Sequence, residues 1–91
     1  MRIRDFIWDR TNLDHIAAHK VASYEVEEAC SGDFVVLKSR RGRYTILGQT
    51  DSGRYLFVVL EGCGEGVFRA ITARDMTRSE RRRFQKQTEL K

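Results

Sequence analysis

Two histidines and a set of arginines are the side chains in this sequence whose types and spacing could do chemistry. His15 and His19 are four residues apart, which on a helix puts both imidazoles on one face, roughly 6 Å apart at Cβ. Three uses compete for such a pair. It could hold a metal, but no acidic residue stands between the two in a His-Glu-x-x-His pattern and no third ligand is evident, so no metal and no cofactor are expected. It could serve as acid and base in phosphodiester cleavage, because imidazole titrates near neutrality. Or it is structural: His15 hydrogen-bonds on its helix, and His19 sits at the C-terminal end, where the helix dipole favours imidazolium.

Arg54 and Arg69 stand among apolar residues in β-type runs. An arginine on such a face needs an anion or an open sheet edge. One use is a salt bridge to Glu25, Glu28 or Asp75. The other is a clamp on phosphate, which guanidinium grips bidentately. Arg74 ends the last β-type run just before a capped helix, whose first amides would add to phosphate binding. Trp8, Tyr44 and Tyr55 are either core aromatics or platforms for bases. RNA cleavage without a metal asks for positioning of this kind, charge stabilisation of the phosphorane, and a proton acceptor for the 2′-hydroxyl.

The chain that must present these groups has 91 residues, 33% of them charged and 41% hydrophobic. That implies one globular domain over residues 1–91 with a modest core. The net charge of +4 permits an anionic partner, and its distribution says more. Arg40, Arg41 and Arg43 form one basic group, and Arg78, Arg81, Arg82, Arg83 and Lys86 form another. Glu25, Glu27, Glu28 and Asp33 gather the opposite sign. Such asymmetry suits nucleic acid or an acidic protein partner. Cys30 and Cys63 are too few for a disulfide framework and lack metal spacing. No apolar run reaches membrane-spanning length and the N-terminus lacks a signal-peptide core, so the chain is expected in the cytoplasm, away from membranes.

The positioning elements centre on residues 42–60. Two runs rich in β-branched and aromatic residues, 43–49 and 54–60, flank Thr50-Asp51-Ser52-Gly53. This is a hairpin pattern, with Gly53 free to take a positive φ. In the second run Tyr55, Phe57 and Val59 alternate with Leu56, Val58 and Leu60, so the strand should be central and covered on both sides. Upstream, the pattern predicts a short strand within residues 2–8. A helix capped by Asp9, Thr11 or Asn12 follows, with the stripe Leu13, Ile16 and Ala17. A second helix is capped by Ser23 and carries Val26, Ala29 and Cys30. Residues 34–38 and 67–74 read as further strands. Strict alternation in the latter puts Arg69 and Arg74 on opposite faces. Thr77-Arg78-Ser79-Glu80 is a capping box that opens a charged helix anchored by Phe84. The sum is an α+β fold: a small antiparallel sheet with two N-terminal helices and a C-terminal helix.

Five stretches, in chain order, resemble the BrnT family: Phe6-x-Trp8-Asp9, Asn12-x-x-His15-Ile16-x-x-His19, Val26-Glu27-Glu28, Gly48-x-Thr50-x-x-Gly53-Arg54-Tyr55-Leu56, and Ile71-Thr72-Ala73-Arg74-Asp75-Met76-Thr77-x-x-Glu80-Arg81. The resemblance implies a RelE-like fold and the toxin half of a type II toxin–antitoxin pair. It also implies a metal-independent ribonuclease, inhibited by a cognate antitoxin that is typically a DNA-binding protein. The site expected on this reading has Arg54 and Arg74 at the scissile phosphate and His15 or His19 for proton transfer. Arg43, Arg69, Tyr55 and Trp8 would contact RNA, and Arg78, Arg81 and Arg82 would face the antitoxin. Lys20 stands where the family usually closes its first helix with glycine. A homodimer and a toxin–antitoxin hetero-oligomer both remain open. The competing reading is a non-catalytic protein that docks an antitoxin-like partner or nucleic acid through its basic C-terminal helix.

Overall fold

The hairpin expected around Thr50 is the centre of the computed structural model, which describes residues 1–89. Its strands are β3 (Arg43–Gln49) and β4 (Tyr55–Gly62). The Thr50 amide donates to the Arg54 carbonyl, the Gly53 amide donates back to the Thr50 carbonyl, and Gly53 takes a φ of 98°. Around this pair lie β1 (Asp5–Ile7), β2 (Val35–Arg40) and β5 (Val67–Asp75), with α1 (Arg10–Ala17), α2 (Ser23–Ala29) and α3 (Arg78–Glu89). The sheet order is β1-β5-β4-β3-β2, so β4 is central. Strands β2 to β5 form the expected antiparallel meander. The sheet is not wholly antiparallel, because β1 pairs in parallel with β5, Asp5 opposite Val67 and Ile7 opposite Arg69.

Helices α1 and α2 cover one face, α1 against β5 and α2 against β3 and β4. Ile16, Val26, Ala29, Ile46, Leu56, Val58, Leu60, Ala70 and Ala73 meet there and are essentially inaccessible to water. Burial pushes the Cys30 thiol up to about 12, which leaves it an inert core residue. The approach of α2 to β3 is close enough to demand glycine: a Cβ on Gly48 would lie 2.1 Å from the Ala29 carbonyl oxygen. Helix α3 covers part of the other face, where Phe84 packs with Val35, Leu47, Phe57 and Tyr55.

The helix ends follow their local chemistry. Asp9 caps α1, its carboxylate accepting from the Asn12 amide while the Asn12 side chain accepts from the Asp9 amide. Asn12 is fully buried and spends its remaining donor on the Ile7 carbonyl. Beyond α1, the Lys20 and Val21 amides return to the Ala17 and Ile16 carbonyls, with Lys20 at a φ of 60°. The left-handed exit that glycine usually supplies is therefore kept with lysine, at a backbone cost of roughly 1 kcal/mol. Ser23 is the first residue of α2 rather than its cap; Glu25 instead accepts from the Ala22 amide. The box at α3 is as expected, Thr77 and Glu80 each bonding the other's amide.

Candidate nucleic-acid interface

One irregularity in β5 decides which arginines meet. The β4–β5 register runs Val59 opposite Thr72, then Leu60 opposite Ala70, leaving Ile71 as an extra residue. Such a bulge shifts the phase of every later side chain. Ala70 and Ala73 both enter the core, and Arg69 and Arg74 fall on the same face, the one α3 partly covers. Arg69 lies opposite Glu61, which lies opposite Arg43. Arg74 lies opposite Phe57, with its guanidinium 3.7 Å from the ring centre. Three of the four arginines expected to handle RNA thus share one face.

The fourth does not. Arg54 reaches to the α1–α2 side, where it donates to the Lys20 and His19 carbonyls at 2.6 and 3.3 Å and to Glu25 at 3.1 Å. Its Nε donates to Asp75 at 2.8 Å. The Asp75 contact, followed by Glu25, raises the Arg54 pKa above its ordinary value. All three nitrogens of this guanidinium are engaged in tying the α1 exit to α2 and to the end of β5. The salt bridges weighed from sequence, to Glu25 and Asp75, are the ones formed. Arg54 and Arg74, on opposite faces, do not make a joint phosphate clamp.

The remaining arginines also have carboxylates. Arg69 grips Asp9 through both terminal nitrogens, and this contact holds the Asp9 carboxyl at about 2. Arg74 pairs bidentately with Glu80 at 2.9 and 3.1 Å, which lowers the Glu80 pKa. Arg43 meets Glu61 loosely, at 3.4 Å.

The histidines do not form a helical pair. Helix α1 ends at Ala17, so His19 lies in the turn beyond it, and its amide bonds the Ile16 carbonyl. His15 is exposed, with Nδ1 3.4 Å from the Ile71 carbonyl. Both belong to the helix-covered side of the sheet. The aromatic platforms are occupied as well. Trp8 stacks on Phe6 and donates to Glu27 at 2.7 Å. Tyr55 lies edge-on to Phe84, beneath the Arg81 guanidinium, with its hydroxyl bonded to Gln85. Arg78 and Arg82 point into solvent from α3.

Beyond the reach of α3, the same face opens into a depression of about 360 Å³ lined by Lys38, Arg40, Arg41, Arg43, Thr45 and Val59. Lys38, Arg40 and Arg41 are exposed. The turn that presents them is costly. Arg41 and Gly42 have φ of 52° and 77°, the two-residue loop in which asparagine is the favoured first residue. An arginine held in that backbone region is a local strain of the kind found at functional sites. The sequence had marked Arg40, Arg41 and Arg43 as a basic group; it had not placed Lys38 with them or separated them from Arg54.

A five-stranded sheet with paired helices on one face and a single charged helix on the other is the α+β architecture that the sequence resemblance implies. The crystal structure of the Brucella abortus ribonuclease toxin BrnT matches it with a TM-score of 0.64, over 81% of this chain and 97% of that one, at 19% identity. The fold is therefore BrnT-like. No family model matches the chain, and no curated protein matches it.

Proposed function

We propose that this chain is the toxin of a type II toxin–antitoxin pair and cleaves single-stranded RNA without a metal, on the sheet face that α3 leaves open. The observation that carries the reading is the basic depression. Lys38, Arg40 and Arg41 form no ion pair among the described residues; they line the depression with Arg43 and share their face of the sheet with Arg69 and Arg74, on a fold shared with a ribonuclease toxin. A backbone phosphate drawn into the depression would replace the loose Glu61 contact of Arg43 and exchange ion pairs with the exposed side of Arg69. Arg54 is the staple of the opposite face and takes no part in this site. Arg78 and Arg82 on α3 are left for a cognate antitoxin. The chain is read as one domain acting in the cytoplasm.

Purified, partner-free protein incubated with RNA in EDTA should cleave it. Replacing Arg40 and Arg41 with alanine should weaken RNA binding and make the slope of log affinity against log salt shallower by about 1.4, two phosphate contacts at ~0.7 each. Unchanged binding would remove the depression from the interface.

The second reading has its own support. Arg43, Arg54, Arg69 and Arg74 each already face a carboxylate. A folded sample that binds partner protein through Arg78 and Arg82 but leaves RNA intact would make the chain a docking module.

A further inference from the structure

The open face has arginines enough but needs a proton acceptor, and neither histidine lies on it. The geometry points to Glu61 as the general base of the proposed cleavage, an inference that rests on the ribonuclease reading above. Three carboxylates on this side of the sheet face an arginine, and two are already committed. Asp9 is gripped by both terminal nitrogens of Arg69 while it caps α1. Glu80 is gripped in the same way by Arg74 while it closes the box at α3. Freeing either would open a helix end, and an acid so strongly stabilised as its anion is a poor base. Glu61 has no such duty. It ends in a half-exposed carboxylate, 41% accessible, with one 3.4 Å contact to Arg43. In register it stands between Arg43 on β3 and Arg69 on β5, and Arg43 also lines the basic depression. A phosphate seated between those two guanidiniums would bring its neighbouring 2′-hydroxyl to Glu61.

In the step itself, Glu61 takes the 2′-hydroxyl proton and O2′ bonds to phosphorus. Arg43 and Arg69 carry the added charge of the phosphorane. The bond from phosphorus to O5′ then breaks, and the leaving oxygen takes a proton from water. The products are a 2′,3′-cyclic phosphate and a 5′-hydroxyl, and no oxidant or co-reactant is required.

The test compares wild type with Glu61→Gln and Glu61→His on one RNA oligonucleotide in EDTA, with thermal unfolding to verify the fold. Glu61→Gln should slow cleavage about 100-fold or more. It should bind a 2′-deoxy version of the oligonucleotide as tightly as wild type or tighter, because a negative charge has been removed. Glu61→His should restore part of the rate and move the acid limb of the pH–rate profile upward by about two units, the difference between carboxylate and imidazole. Cleavage by Glu61→Gln at the wild-type rate, or an unmoved acid limb in Glu61→His, overturns the assignment and leaves the ribonuclease reading standing. Wild-type protein that binds RNA and cleaves none overturns both.

Discussion

The two faces of the sheet are built to different standards. On the α1–α2 side, backbone touches backbone at Gly48, and Leu56, Val58 and Leu60 have no accessible surface. The only guanidinium among the described residues that enters, Arg54, has carbonyls or carboxylates on all its nitrogens. On the α3 side the same strand offers Tyr55, Phe57 and Val59, all half-buried, and part of the face has no helix over it. There the cations are exposed and one sits in a strained turn. The contrast teaches that arginine count says little about function here. What distinguishes a staple from a binding group is how many of its donors are already satisfied.

That contrast can be broken most decisively at Gly48. Gly48→Ala drives a methyl into the Ala29 carbonyl, and chemical denaturation should report a loss of at least about 3 kcal/mol; a milder loss would mean that α2 is free to shift. Arg54→Ala comes next. It strands Glu25, whose side chain is only 14% accessible, and should cost about 2–3 kcal/mol. RNA cleavage per folded molecule should stay near wild type, and a specific loss of rate at full stability would return Arg54 to the active site.

Acid should act on both faces. Asp9 sits at about 2, and Asp75 and Glu80 also lie below their ordinary values, each chiefly because an arginine hydrogen-bonds the carboxylate. Depressed carboxylates contribute stability that is whole above their unfolded-state values and is lost as pH falls through the folded ones. The melting temperature should therefore be level above about pH 5 and decline below it. Asp9→Asn should flatten the lowest part of that decline. The smallest effect, and the sharpest test of the comparison, is Arg41→Asn. Relief of the left-handed arginine should stabilise the β2–β3 turn by about 0.5–1 kcal/mol while RNA affinity falls.

Much of this arrangement was legible in the sequence, and the exceptions have identifiable causes. The hairpin at Thr50, the box at Thr77 and the central position of β4 follow from local patterns, and the structure contains them; of the three candidate caps for α1 it selects Asp9. The bulge at Ile71 does not follow from any local pattern. Alternation placed Arg69 and Arg74 on opposite faces, and one extra residue reversed that. The parallel pairing of β1 was hidden because three residues carry too little pattern to choose a partner. Sequence alone leaves Arg54 between phosphate and a salt bridge, because Glu25 and Asp75, the acids it meets, are distant in the chain. His15 and His19 were paired by a spacing that holds only inside a helix, and the helix stops between them.

The parallel contact between β1 and β5 also bears on how the chain assembles. The β2–β5 hairpins join neighbours and close over short loops, whereas Asp5 must wait for Val67. Substitutions in β1 should then speed unfolding and spare the folding rate in stopped-flow kinetics. During synthesis β1 leaves the ribosome well before its partner β5, and until the two meet the outer edge of β5 is a vacant seat for any extended peptide that reaches it sooner.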